Sequence, residues 1–423
     1  MRAPHPPLSR PFARRLIGVT AALLFAAAAL SCATTRPATR VRTVPPPRAP
    51  IVVAPTEVPP PPAETLPLAP PPLSPEGVEA APEAGAAPLA ETPLPPGEQM
   101  PAPPTSDLIA LVLPLDEPAF ERAASAVRDG FLEAAAAAGK SGDCIVIPHD
   151  RNGVVAAFAA ARAKGVRVAV GPLVRDDLRA LAQSGADLPW TLALNQLDDP
   201  AALPPSIYTF PLSVESDGRM LADRARAAGA ASIDVIEGDS PLMKRLATSF
   251  AGEWVREGGN PPGALRFEPS PDSLTGLRRS LAGHVPGAVL LALNGEHAAL
   301  VKPFVGDVLS YASGLVFERP SPAVARDLDG VRVVEIPWLL TPDAPELAQY
   351  PRRDFDSDAL ARLYALGLDA FRVAASFVDG PPQRFDLDGA TGHVHLAPNR
   401  EFQREGRLGI YRNGVLVPLD STP

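Results

Sequence analysis

The chain has 423 residues, a formal net charge of −9 and a sequence pI near 5.3. That acidity excludes the partners held mainly by positive charge, nucleic acid and an anionic membrane surface. Composition is uneven: nearly half of the 54 prolines fall in the first hundred residues, where aromatics are few. A sizeable core can therefore form only after about Ser106, and a stretch of about 300 residues normally divides into two lobes.

The first element is a targeting segment. "MRAPHPPLSRPFARR" supplies positive charge and "LIGVTAALLFAAAAL" an apolar stretch of signal-peptide length, short for a bilayer span. Ser31 and Cys32 follow. A small residue before a cysteine at this point resembles the bacterial lipoprotein lipobox, although Ala29 stands where that motif usually has leucine and Leu30 is one place nearer the cysteine. The resemblance implies cleavage before Cys32 and acylation of it; the other reading is an ordinary secretory signal with an incidental cysteine. Acyl chains of this kind anchor a protein stably once two or more are present. Ala33, rather than aspartate, after the cysteine implies the outer membrane by resemblance to sorted lipoproteins. Residues 32–106 hold "VPPPRAP" and "VPPPPAETLPLAPPPLSP". Proline fixes φ and removes donors, so this tract is expected to be a disordered, extended leash.

The folded part begins with "LIALVLPL" (108–115), a continuous apolar run with the pattern of a strand buried on both faces. A helix is expected over 118–140, with Phe120, Val127, Phe131 and Ala134 at helical spacing and Gly139 closing it. "CIVIPHD", "VRVAVGPLV", "PWTLALN" and "IYTFPLS" read as strands, with helices "GVVAAFAAARAKG" and "RDDLRALAQSG" between them. A second series follows from Glu215: strands "SIDVIEG", "ALRFEP" and "GAVLLALN", with helices "SDGRMLADRARAAG", "PLMKRLATSFAGEWVREG", "SLTGLRRSLAG" and "EHAALVKPFV". "RVVEIPWLL" (332–340) reads as another strand and 356–378 as a long helix. The end of the chain turns to antiparallel β structure, with a hairpin at Asn413-Gly414. Regular strand–helix alternation means βαβ units and parallel sheets. The fold class is α/β, two-lobed, each lobe a doubly wound, mostly parallel sheet.

Catalytic patterns are thin. Ser240 lacks a GxSxG setting, and Met243 stands where a Ser-x-x-Lys pair needs lysine, so Ser240-Pro241 reads as a helix start. His393 and His395 share one strand face but have no third ligand nearby in sequence. "DLDG" at 327–330 and 386–389 lacks the oxygens of a calcium loop, and both read as turns. Cys144, in "DCIVIP", reads as a buried inert thiol. No nucleophile–base–orienter set emerges, so no enzyme, cofactor or metal is expected. In open α/β sheets ligands sit beyond the carboxyl ends of the strands. The expected inter-lobe cleft is therefore lined by Asp116, Gly171, Pro172, Asn195, Gln196, Asp239, Asn294 and Glu296.

"IALVLPL", "AVRDGF", "GPLVRD", "LALNQ" and "DALARLYALGLDAFRVA" followed by "DGATGHVHL" resemble type I periplasmic binding proteins. Within that superfamily, "GPLVRDDLRAL", "LALNQLDD", "DLDGVRVVEIPWLL" and "GATGHVHLAPNREFQREGRLGIYRNGVLVP" resemble the LpoA/LppC family, outer-membrane lipoproteins that activate penicillin-binding proteins. The resemblance runs over about 107–418. It implies a lipoprotein signal at 1–31, the proline-rich linker at 32–106 and a binding-protein-like domain at 107–423. Its first lobe is expected at about 107–213 and 338–423 and its second at about 214–337. No 34-residue helical repeat is read in the sequence before it, the proline tract standing in that place, so any reach or peptidoglycan contact made by such a domain falls to the leash or is absent. The resemblance implies a non-catalytic outer-membrane lipoprotein, facing the periplasm, that binds a class A penicillin-binding protein and stimulates peptidoglycan cross-linking. The rival is a substrate-binding lipoprotein of an ABC-type transporter. Amino-acid binders of the superfamily usually place small hydroxyl residues after the first strand, and "PLDEPAFER" has none. Trp338, Tyr350, Arg352 and Arg353 are the candidate interface anchors.

Overall fold

The computed structural model describes residues 108–317, 320–377 and 379–419. The leader, Cys32 and the proline-rich linker expected at 1–106 lie outside the described residues.

The first series is β1 (Ile109–Leu113), α1 (Glu121–Ala137), β2 (Cys144–Pro148), α2 (Val154–Ala163), β3 (Val168–Val170), α3 (Arg175–Gln183), β4 (Trp190–Ala193) and β5 (Ile207–Thr209). Its strands form one sheet in the order β2-β1-β3-β4-β5, every neighbouring pair parallel. Successive strand residues point to opposite faces. Ile109, Leu111 and Leu113 accordingly enter one core with α1, while Ala110 and Val112 enter another with Phe158 and Leu178. An unbroken apolar strand is thus the signature of a sheet with helices on both faces.

The second series is α4 (Val214–Ala227), β6 (Ile233–Glu237), α5 (Pro241–Arg256), β7 (Gly263–Arg266), α6 (Pro271–Gly283), β8 (Ala288–Ala292), α7 (Gly295–Val305), β9 (Leu309–Ser313), α8 (Pro322–Ala325) and β10 (Val331–Glu335). Then come α9 (Pro337–Leu340), α10 (Asp358–Ala375), β11 (Asp386–Asp388), β12 (His393–Leu396), β13 (Phe402–Glu405), β14 (Arg407–Arg412) and β15 (Val415–Pro418). The second sheet runs β15-β14-β10-β9-β8-β6-β7, and a small antiparallel sheet runs β11-β12-β13. Ala288, Leu290 and Ala292 of β8 face α4 and α5, whereas Val289 and Leu291 face α6 and α7. Both lobes are therefore doubly wound, as the alternation predicts.

Three expectations are corrected. The tail does not return whole to the first lobe: β14 pairs antiparallel with β10 of the second sheet, and β15 continues it. Unpaired, β10 would be an open edge. The hairpin closes over Asn413 (φ 54°) and Gly414 (φ 76°), both left-handed as a type I′ turn requires, and Asp329 accepts both their amides at 2.9 Å. Next, 332–340 is not one strand. Pro337 has no N–H to give a ladder and opens a helical turn instead. Finally, "DLDG" at 386–389 contains strand β11 rather than only a turn.

α10 closes the first lobe's core. It crosses α1 where both helices carry glycine. A Cβ on Gly130 would lie 2.0 Å from the Tyr364 carbonyl oxygen, and one on Gly367 would lie 2.1 Å from that of Val127. The backbones touch there, and only glycine permits it.

The chain passes between lobes at Ser213, at Ile336 and at Gly406, and buried charges hold each passage. Arg404 donates to Asp217 at 2.9 Å and to the Ser213 carbonyl at 3.4 Å. Ser313 donates to the other Asp217 oxygen at 2.5 Å. Arg362 makes a two-pronged pair with Glu335, and Glu335 also accepts the Ile336 amide at 2.8 Å.

Candidate functional site

The carboxyl ends of the first-lobe strands meet at Gly171-Pro172 and Asn195-Gln196. Gly171 has φ +118°, and a Cβ there would meet the Val112 carbonyl oxygen at 2.1 Å, so β3 can end against β1 only with glycine. Asn195 donates to the Leu173 carbonyl at 2.9 Å and accepts the Gln196 amide at 2.9 Å. Gln196 in turn reaches Ser213 Oγ at 3.4 Å, linking the strand end to the first passage between lobes. Asn195 also borders a cavity of about 320 Å³ whose other walls are largely apolar: Phe120, Leu173, Leu194, Leu212 and Leu366 among them. Arg175 at its rim is held by Asp198 at 2.7 Å.

The remaining residues of the expected cleft have other work. Asp116 is exposed and its amide donates to the His149 carbonyl at 3.2 Å. Asp239 holds Lys244 at 2.6 Å. Asn294 caps α7, accepting the His297 amide at 2.8 Å, and Glu296 is exposed in that helix's first turn. The cavity wall at the strand ends comes from the first lobe, and of the eight expected residues Asn195 is the one that lines it. Ser240 caps α5 through the Met243 amide at 3.2 Å, as its Ser-Pro context predicts.

His393 and His395 do share a face of β12, their rings stacked at 6.2 Å. Asp388 at 3.1 Å and Asp386 at 3.3 Å flank His393, and the hydrogen bond to Asp388 holds its pKa above the usual imidazole value. Burial, followed by neighbouring Asp143, pushes the Cys144 thiol up to about 11, which keeps it unreactive. Of the interface anchors, Trp338 and Tyr350 are core residues, while Arg352 is exposed and stacks 4.6 Å over the Trp338 ring.

A second, larger cavity of about 620 Å³ was not legible in the sequence. It lies between α4, the end of α5 and the β12–β13 strands, and its walls include Arg219, Asp223, Arg224, Glu253 and Arg404. These residues are scattered over two helices and a strand, and on α4 they read as an ordinary solvated face.

The family model described as "LppC putative lipoprotein" matches residues 82–277 and 287–414. The chain belongs to this family. Curated relatives named "Penicillin-binding protein activator LpoA" include those of Edwardsiella ictaluri, 26% identical over 304 residues, and Escherichia coli, 26% identical over 302. The matches cover 61% and 60% of this chain and 44% of each relative, so the chain spans less than half the length of the LpoA proteins it matches. A solved structure titled a "putative branched-chain amino acid ABC transporter" from Chromobacterium violaceum is 32% identical. It superposes with a TM-score of 0.64 over 71% of this chain and 99% of that one. The LpoA C-domain from Haemophilus influenzae, titled a regulator of PBP1A, superposes with a TM-score of 0.63 over 74% of this chain and 99% of its own, at 22% identity. These likenesses show the two-lobed periplasmic-binding-protein-like fold. The match also bears out the LppC resemblance of the quoted motifs. Among the described residues no helix is long and apolar enough to cross a membrane.

Proposed function

We propose that this LppC-family chain is a non-catalytic envelope lipoprotein that binds a class A penicillin-binding protein and stimulates its peptide cross-linking. One observation carries the reading: the LppC family model matches 82–277 and 287–414, where both lobes lie, and curated relatives of the chain are named penicillin-binding protein activators. In this reading Cys32 carries the lipid, the anchor is in the outer membrane, and the proline-rich linker gives the two-lobed domain its reach toward the partner and past peptidoglycan. Activation requires that the chain bind the partner's active conformation more tightly than its inactive one. The cleft residues support the reading, since Asn195, Asp239 and Asn294 already satisfy hydrogen-bonding groups of this chain.

The test adds the purified chain to the class A penicillin-binding proteins of its own organism and follows cross-linking of glycan strands. Stimulated cross-linking is expected, with none from the chain alone. No stimulation together with no co-precipitation overturns the reading.

The second reading is an amino-acid receptor of an ABC-type transporter. The apolar cavity bordered by Asn195 and the resemblance to the Chromobacterium violaceum protein favour it. Saturable binding of leucine, lost in Asn195→Ala, is its expected signature.

A further inference from the structure

The sequence offers no third metal ligand near His393 and His395, but the small sheet does. On β11, Asp386 lies opposite His395 and Asp388 opposite His393; on β13, Gln403 and Glu405 lie opposite the same two histidines. Residues paired across strands, or two apart along one strand, share a face. All six are therefore on one face, and each is exposed or half-buried. The other face carries Leu387, Val394, Leu396 and Phe402 into the first lobe's core. The support is firm: buried Asp369 holds the turn before His393 through the Ala390 and Thr391 amides, at 2.9 and 2.7 Å.

The His393 ring lies between two carboxylates, Asp388 at 3.1 Å from Nδ1 and Asp386 at 3.3 Å from Nε2. A neutral imidazole has one N–H to offer two such neighbours. With Nδ1 donating to Asp388, Nε2 turns a lone pair toward Asp386, and a cation has to stand between them. A proton shared there would draw the two atoms to about 2.7–2.9 Å. Two ligand atoms each about 2.0–2.1 Å from a tetrahedral ion stand about 3.3–3.4 Å apart, which is the spacing found. Asp388 then has the place of the carboxylate that orients a metal-binding histidine through its other nitrogen. Among the described residues no lysine or arginine side chain pairs with the carboxylates of Asp386, Asp388 or Glu405; Arg372 reaches the Asp388 main-chain carbonyl, at 3.1 Å. His395 stacks beside His393 with ring centroids 6.2 Å apart, so it has to turn to reach the same ion. It borders the larger cavity, which gives it room to do so.

We propose that this face of the small sheet binds one divalent transition-metal ion of the zinc class through His393 Nε2, His395 and Asp386. Asp388 fixes the His393 ring, Glu405 adds negative charge, and the fourth position is left to water. Mixed imidazole and carboxylate donors favour such an ion over calcium or magnesium. The ion would tie β11 to β12, and the site rests on neither functional reading above.

The experiment is calorimetric titration of the full chain with zinc chloride, with calcium chloride in parallel. Uptake of one zinc per chain at micromolar concentration or below is expected, with calcium much weaker. Changing His393→Gln and His395→Gln together should abolish uptake. Asp388→Ala should weaken it about 10- to 100-fold. Asp386→Asn should weaken it at least as much, and since both aspartates are exposed neither change threatens the fold. Cobalt(II) added in place of zinc should give the strong visible absorption of a four-coordinate ion, lost in the double histidine variant. The carboxylates of Asp223, Glu253 and Glu257, within 4.8 Å of one another, are the competing site, so Asp223→Asn should leave zinc uptake unchanged. No zinc uptake at micromolar concentration overturns the proposal. So does uptake indifferent to the histidine and Asp386 changes, loss of uptake in Asp223→Asn, or calcium bound as tightly as zinc.

Discussion

Arg362 on α10 and Glu335 at the end of β10 face each other across the joint between the lobes, each side chain 6% exposed. The Arg362 Nε–Glu335 Oε1 distance is 3.0 Å, and the second nitrogen reaches Oε2. A Cβ on Gly314 would lie 2.3 Å from that carboxylate, so a glycine makes the room for it. Removing one member of a buried pair strands the other charge. Arg362→Met is expected to cost about 3–5 kcal/mol in urea unfolding. Adding Glu335→Leu should restore part of that loss, since no buried charge is then left alone. It should leave about 1–3 kcal/mol missing, because the Ile336 amide loses its acceptor.

The α1–α10 crossing allows two opposing effects to be weighed. Alanine normally improves a helix interior over glycine by about 1 kcal/mol. At Gly130 and Gly367 the new methyl would meet immovable backbone at 2.0 and 2.1 Å. Overpacking should win, and each change is expected to destabilise by about 3 kcal/mol or more. Gly276, inside α6, is the internal comparison, because a Cβ there would meet nothing within 4 Å. Gly276→Ala should stabilise by up to about 1 kcal/mol. Thermal unfolding of the three variants separates the two effects.

Asp369 is fully buried and gathers three donors from the segment after β11. These are the Ala390 amide at 2.9 Å, the Thr391 amide at 2.7 Å and the Thr391 hydroxyl at 2.6 Å. Thr391→Val keeps the shape and deletes one donor to the carboxyl group, with an expected loss of about 1.5–3 kcal/mol. Asp369→Ala leaves two buried amides without acceptors and should cost more than Thr391→Val. Denaturant midpoints measured under identical conditions decide the order.

Asp223 on α4 gives the fold a pH signature, because burial and then the neighbouring Glu257 carboxyl push its own carboxyl up. Its folded pKa of about 6 lies above the ordinary carboxyl value of 3.8. A raised carboxyl favours the folded state while protonated in both states and loses that advantage as pH rises toward and past 6. Asp223→Asn is therefore expected to raise Tm at pH 8 by on the order of a degree or two. The gain should vanish below about pH 4, where the carboxyl is protonated in folded and unfolded chains alike. A gain that persists unchanged in acid would contradict this assignment.

The architecture was legible because the alternating series left little freedom. Runs such as Ile109–Leu113 and Ala288–Ala292 are apolar at every position, which only a sheet covered on both faces explains. Several family-like motifs owe their composition to packing. "AVRDGF" and "LYALGLD" carry the glycines of the helix crossing, and "DGATGH" carries Gly389, whose Cβ would lie 2.5 Å from Asp369. What the sequence concealed was long-range. β9 contains Tyr311 and Ser313, whose hydroxyls are buried because the Arg224 carbonyl and the Asp217 carboxylate, both on α4, receive them. The return of β14 to the second sheet depends on which edge lies open, a property of the assembled lobe. The cavity on α4 depends on residues nearly two hundred positions apart meeting beside Arg404.

The order in which the chain emerges during synthesis gives the Gly406 passage and the late position of α10 a further meaning. The first lobe's strands are made before the second lobe, yet the helix that seals their core follows the second lobe entirely. The second lobe's sheet gains its last two strands only at the end of the chain. Neither lobe corresponds to one continuous segment that could fold and wait. Both must complete late and nearly together, so the domain should melt as one cooperative unit, and a chain broken off before Arg407 would leave β10 as a bare edge open to association.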